Sequence, residues 1–256
     1  MGVNLKTKKD IKKLAESGKI LAFVLKEMKE MVEEGVLLSD LNDRAKHILD
    51  DHGAKAAFYG YKPGSEAEGF PGYICASVND QVVHGVPGDY KLRDGDVLKL
   101  DFGVDYKEMI TDAAITVPVG DIDPVADKLM KTTRLALEEA ISVCKPGNHL
   151  GDIGWIVEQT VKENGFSIVR ALGGHGVGFD LHEDPTVFNY GEKGTGMELV
   201  EGMVLAIEPI TSAGSGDIKK GEDGSFVTLD GSLSAHFEKT LAITEDGCKI
   251  LTPWDK

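Results

Sequence analysis

The chain has 256 residues, 43 of them acidic and 28 basic, for a formal net charge of −15, with 41% apolar residues, 31 Gly and 9 Pro. That length suits one domain able to bury about 75% of its unfolded surface, and that composition excludes collagen-like, low-complexity and disordered classes. So negative a field repels phosphate backbones and anionic membranes, which argues against a specific nucleic-acid or membrane partner outside the Lys-rich start.

In chain order, Thr7 followed by Asp10 reads as a capping box. Ile11, Leu14, Gly18, Leu21, Leu25, Met28 and Val32 then recur at steps of three and four, one face of a long helix that should stop near Gly35. Ser39 is expected to cap a second helix through Leu41, Ala45, Ile48 and Leu49, closed by Gly53. Strand-like sequence follows over 73–78, 97–106 and 109–119. Asp123-Pro124 then supplies an N-cap and a first-turn proline for a helix to Cys144, Pro146-Gly147 breaks it, and a fourth helix runs to Gly165. Further strands are expected over 167–171, 203–210 and 235–244.

The two helix pairs overlay at a fixed offset of 112 residues, with Gly35, Leu38, Asp40 and Gly53 falling on Gly147, Leu150, Asp152 and Gly165. The apolar faces repeat too, Leu41, Ala45 and Leu49 against Ile153, Val157 and Val161. This reads as an internal duplication within one domain, 1–256, whose halves run roughly over 8–120 and 121–250. Strands segregated from helices in each half predict an α+β fold, an antiparallel sheet covered by helices with the halves face to face. Chemistry then belongs between the halves.

Acids placed on apolar strands are the candidates for that chemistry. If 97–106 and 109–119 form a hairpin turning near Lys107-Glu108, Asp101 and Asp112 lie close to opposite each other, ~5 Å apart at Cβ. A divalent cation would keep both ionised; the alternative is that one faces solvent at the strand end. Glu208 ends the apolar run Val204-Leu205-Ala206-Ile207, and Glu238 begins another, each either exposed or a ligand. His175 lies between glycines, in what reads as either a metal-binding or an ordinary surface loop. One imidazole and four carboxylates suit Mn, Fe, Co or Zn, and five ligands exceed what one catalytic ion uses, so two ions ~3.5–4 Å apart are expected.

Other chemistries fail on spacing. His182-Glu183-Asp184-Pro185-Thr186 is not H-E-x-x-H, and neither a phosphate-binding loop nor a G-x-S-x-G elbow occurs. Cys75 on an apolar strand reads as inert packing rather than as a thiol nucleophile served by His84. Cys75, Cys144 and Cys248 offer no C-x-x-C pair, which suits a reducing compartment. No run approaches the ~18 apolar residues of a membrane span, so a cytoplasmic monomer is expected.

The motifs Ser77-Val78-Asn79-x4-His84-Gly85-x-Pro87, Asp101-x10-Asp112, Gly174-His175-Gly176-x-Gly178-x3-His182-Glu183-x-Pro185, Glu201-Gly202-Met203-x4-Glu208-Pro209 and Ser234-Ala235-His236-Phe237-Glu238-x-Thr240 resemble type I methionine aminopeptidases. The resemblance spans essentially the whole chain and implies the pita-bread fold. It further implies that Asp101, Asp112, His175, Glu208 and Glu238 hold two divalent ions, with Asp112 and Glu238 bridging, Asp101 on one ion, and His175 with Glu208 on the other. A hydroxide between the ions would attack the carbonyl of an N-terminal Met followed by a small residue, with Glu208 shuttling the proton. His84 and His182 would contact the scissile carbonyl and the following amide, with Phe70 and Cys75 also binding substrate. Asn79 and Ser234 match a monovalent-cation site of some members. Nascent chain N-termini are the implied substrate. Lys6, Lys8, Lys9, Lys12, Lys13 and Lys19 form either a solvated helix face or a transient contact for ribosomal RNA.

Three places depart from the family pattern. Asp223-Gly224 is followed by Ser225-Phe226 where a Trp is usual, Leu181 stands where an aromatic is common, and the connection over 60–72 is long. All three touch the substrate pocket rather than the metal ligands. X-Pro aminopeptidases and prolidases resemble the ligand set as well, but normally carry an additional N-terminal domain.

Overall fold

Thr7 starts the first helix as its sequence dictates: its hydroxyl accepts from Asp10 N–H, and the Asp10 carboxylate accepts from Thr7 N–H. The computed structural model describes residues 2–62 and 68–255, so the 60–72 connection lies partly outside the described residues. The first half comprises α1 (Lys8–Met31), α2 (Leu38–His52), β1 (Lys55–Ala56), β2 (Cys75–Val78), β3 (Gln81–Val83), β4 (Val97–Asp105) and β5 (Ile110–Pro118). The second begins with α3 (Pro124–Ser142), α4 (Leu150–Glu163), β6 (Ser167–Ile168), β7 (Gly173–Gly176) and β8 (Glu183–Phe188). It continues with β9 (Val204–Ile207), β10 (Ile210–Ser212), β11 (Ile218–Lys220), β12 (Phe226–Thr228), β13 (Ser234–His236), β14 (Lys239–Thr244) and β15 (Gly247–Ile250). No described helix is long and apolar enough to cross a membrane.

The duplication is visible in backbone bonding. α2 and α4 begin 112 residues apart, after Gly35 and Gly147, which both take positive φ, and Gly53 and Gly165 do so after them. Gly35 N–H donates to Leu92 O and Leu38 N–H to Tyr90 O; Gly147 N–H donates to Leu199 O and Leu150 N–H to Met197 O. These carbonyls satisfy donors at each helix start, which explains one departure from expectation. Ser39 lies inside α2, whose N-cap is Leu37 with no side-chain bond, and Ser39 N–H donates instead to Gly88 O. Leu41, Ala45 and Leu49 are buried with Ile153, Val157 and Val161 in one cluster, which also takes in Met28, Phe102, Leu137 and Leu241 from both halves.

All strand pairs are antiparallel, but the expected single sheet is divided into four ladders: β1-β4-β2 with β5 on β4, β13-β10-β6, β11-β12-β3, and β15-β14-β9-β7-β8. Two runs read as continuous strands are each two strands. Glu208-Pro209 interrupts β9 and β10, and Phe237-Glu238 interrupts β13 and β14, so each chain leaves one ladder for another at an acid. The loop expected around His175 is also strand: β7 is an interior strand, between β8 and β9. Period-2 alternation is hidden there because three of its four residues are Gly.

The β4–β5 hairpin turns at Lys107-Glu108 as expected, with both residues at positive φ and Tyr106 and Met109 exchanging backbone bonds. This two-residue loop sets the register, pairing Asp101 with Ala114 and Asp112 with Gly103. The two acids are therefore diagonal neighbours on one face rather than directly opposite. Lys6 departs from its expected place on the basic face. It is buried before α1, its ammonium paired with Glu183, while Lys8, Lys9, Lys12 and Lys19 are exposed.

Candidate metal centre

β5 joins the halves. Thr240 Oγ1 accepts from Asp112 N–H and donates to Asp112 O, while Glu238 N–H donates to Ala114 O. The ligands expected from each half therefore meet. His175 Nε2 lies 3.9 Å from Asp112 Oδ2 and 3.5 Å from Glu208 Oε1. Asp112, His175 and Glu238 each offer a ligand atom, all within 4.8 Å of one another. His175 Nδ1 is 2.9 Å from Gly176 O, and since a carbonyl only accepts, Nδ1 carries the proton and Nε2 turns a lone pair to the acids.

Burial without partners gives the cluster its chemistry. Among the described residues, Asp101 Oδ1, Asp112 Oδ1 and Glu238 Oε1 are buried oxygens with no hydrogen bond. Burial, then Asp112, pushes Asp101 well above the usual carboxylate range; burial pushes Asp112 up to about 7. Glu208 is raised by burial, then by Asp101 and Asp112, and Glu238 by burial, then by Asp112, Glu208 and Asp101. Three underbonded carboxylates, with Glu208 and an imidazole lone pair beside them, fit hard divalent cations.

His236 was quoted in the sequence only as part of a motif, yet it belongs to the cluster. It is buried, its Nε2 is 3.4 Å from Glu208 Oε2 and 3.8 Å from Glu238 Oε2, and neither ring nitrogen is hydrogen-bonded. Burial lowers its pKa to about 3, with His84, Lys99 and His175 adding to the effect, so it is neutral. Its position two residues before Glu238 in a strand-like run was the available signal.

The histidines expected at the scissile bond flank the cluster. The His182 ring packs edge-on against His175, centroids 4.4 Å apart, and its Nδ1 is 2.6 Å from the Tyr61 hydroxyl. Desolvation, then His175 and His84, lower the His182 pKa. His84 takes a left-handed backbone conformation, φ 60°, unusual outside Gly, and its ring meets the edge of Phe226 at 5.7 Å. Ser225 is buried and turns its hydroxyl to Asp223, so Phe226 is the aromatic of this segment that meets His84.

Phe58, Cys75 and Leu181 form a small buried apolar cluster, with Tyr61, Phe70 and Ile110 packed on it. Cys75 pairs with Asp101 across β2 and β4, so this apolar wall adjoins the acids. Burial, then Asp101 and Asp112, raise the Cys75 thiol well above its usual value, which removes it as a nucleophile. Asn79 and Ser234, expected together from the sequence, are in direct contact. Ser234 Oγ donates to Asn79 O at 3.1 Å, and the same carbonyl accepts from Lys99 Nζ at 2.7 Å. Burial draws Lys99 down to about 7, opposed by Asp80 and Asp96.

Residues 12–245 match the model of metallopeptidase family M24. The chain belongs to metallopeptidase family M24. This M24 chain is 43% identical over 249 residues to a methionine aminopeptidase of Clostridium perfringens, covering 97% of itself and 98% of that protein. It is 41% identical to methionine aminopeptidase 1 of Bacillus subtilis over 248 residues, 96% of this chain and 98% of that one. The crystal structure of methionine aminopeptidase from Thermotoga maritima superposes with a TM-score of 0.94 at 41% identity, over 98% of this chain and 99% of that one. Prolidase from Pyrococcus furiosus shares the fold at a TM-score of 0.78 and 24% identity, but this M24 chain covers only 65% of it. The α+β pita-bread architecture expected from the sequence is therefore the one observed.

Proposed function

We propose that this M24 chain removes the N-terminal Met from newly made proteins whose second residue is small. The observation that carries the reading is a set of underbonded, buried acid oxygens from both halves, bordered by an apolar wall of Phe58, Cys75 and Leu181. Asp101, Asp112, His175, Glu208 and Glu238 would hold two divalent ions. Mn, Fe, Co and Zn all suit this set. When bound, such ions neutralise the acids and make water a nucleophile near neutral pH.

The remaining work belongs to side chains. The wall, with Tyr61 and Phe70, takes up the apolar Met side chain and excludes water from it. Glu208, raised by burial, accepts the proton of the attacking water and passes it to the leaving amine. Tyr61 keeps its phenolic proton, its pKa raised by burial and then by Asp180 and Asp112. Donating it to His182 Nδ1 leaves Nε2–H as the donor toward substrate. His84 offers a second donor from the opposite side, and together they stabilise charge developing on the carbonyl oxygen and leaving group. The substrate N-termini are nascent chains in the cytoplasm.

Metal-free protein reconstituted with Mn(II) or Co(II) should release Met from Met-Gly-Ser and not from Met-Leu-Ser. Release from both or neither, or cleavage of X-Pro peptides alone, overturns the reading. Glu208→Ala and Asp112→Ala should each lower kcat by at least about 100-fold while circular dichroism stays unchanged.

A further inference from the structure

Lys99 is among the largest fully buried side chains, 1% exposed, near the start of β4 and two residues before Asp101. Its ladder neighbours are Ser77 on β2 and Thr116 on β5, and its ammonium reaches Asn79 O at 2.7 Å and Val97 O at 3.4 Å. A charge this deep needs a prepared cradle. Asn79 provides it. Held at φ 55°, its N–H donates to Val97 O, its Oδ1 accepts from Val97 N–H, and its Nδ2 donates to Asp96. The Asn79 carbonyl is thereby left to gather Lys99 from the first half with the N–H and hydroxyl of Ser234 from the second. Ser234 Oγ also reaches Gln81 O at 3.0 Å, so the surroundings are carbonyl oxygens, the donors a hard monovalent cation would use.

The resemblance placed such an ion at Asn79 and Ser234, but that oxygen is already bonded to a positive group. A second cation ~4 Å from the first would lose affinity about a thousandfold to repulsion alone. We propose that the Lys99 ammonium is a tethered cation that replaces a monovalent ion at the junction of the halves, so this chain joins them there without sodium or potassium. This stands apart from the peptidase reading, because its tests read melting and ion uptake rather than Met release.

Metal-loaded protein is melted in potassium, sodium and tetramethylammonium chloride at equal ionic strength. Wild type should melt alike in all three salts. Lys99→Ser, which opens the cradle, should melt lower in tetramethylammonium and recover by a few degrees in potassium or sodium through binding to the native state. A potassium- or sodium-specific rise in wild type, or a variant that melts alike in all three, overturns the proposal. If Lys99→Ser yields no folded protein in any salt, equilibrium dialysis of wild type against rubidium decides. No uptake supports the tethered cation, and one bound ion per chain refutes it.

Discussion

Tyr61 is an instance of a residue whose role follows from one distance, 2.6 Å from its hydroxyl to His182 Nδ1. An imidazole can donate from Nε2 only if Nδ1 is an acceptor or the ring is charged, and the lowered His182 pKa rules out charge near neutral pH. Tyr61→Phe removes the bond that selects the tautomer and keeps the ring that lines the wall. We expect kcat to fall about 10- to 100-fold with KM nearly unchanged. A mainly raised KM would show instead that the hydroxyl acts in substrate binding. His84 and Asn79, like Lys107 and Glu108 in the hairpin turn, take positive φ without being Gly.

At the scale of elements, α1 matters less for what it presents than for how closely it lies. A Cβ on Gly18 would come 2.1 Å from Leu251 O, so the buried C-terminal segment rests directly on the helix backbone. Helix propensity alone favours Gly18→Ala by about 1 kcal/mol. The contact is with backbone, which cannot rotate away, and overpacking of this kind costs about 1–3 kcal/mol or more. The clash wins, so Gly18→Ala should melt several degrees lower. An equal or higher Tm would show that the C-terminal segment yields. The hairpin makes a similar point for function: a two-residue loop at Lys107-Glu108 fixes the offset between Asp101 and Asp112 that brings both to one face.

At the scale of the molecule, the 43 acids behind the net charge of −15 include four, Asp101, Asp112, Glu208 and Glu238, that burial pushes above the usual carboxylate range. Asp112 is raised from 3.8 in the reference state to about 7 by burial. A raised carboxyl favours the folded state while protonated. Its contribution is full below the unfolded value and is lost as pH rises through the folded one. Without metal, therefore, the protein should lose Tm between about pH 4 and 7, and added Mn(II) should stabilise it more as pH rises. Thermal melts at several pH values check this; a Mn(II) effect that is flat or shrinks with pH contradicts it. Much of this could be read in the sequence. The helix pairs, their duplication and acids ending apolar runs are local or periodic signals, and strong sequence patterns carry them directly. The hairpin offset, the interior strand through Gly174 and His175, the burial of Lys6 and the company of His236 could not be read, because each depends on residues distant in the chain. The sequence by itself determined the family, the α+β architecture and which acids end apolar runs, since these rest on residue identity and short-range spacing. Only the tertiary structure decided which buried charges find partners: Lys99 meets the Asn79 carbonyl, Lys6 meets Glu183, and among the described residues one oxygen each of Asp101, Asp112 and Glu238 finds no hydrogen bond. Partnering is settled by packing across the two halves, and no one-dimensional pattern records it.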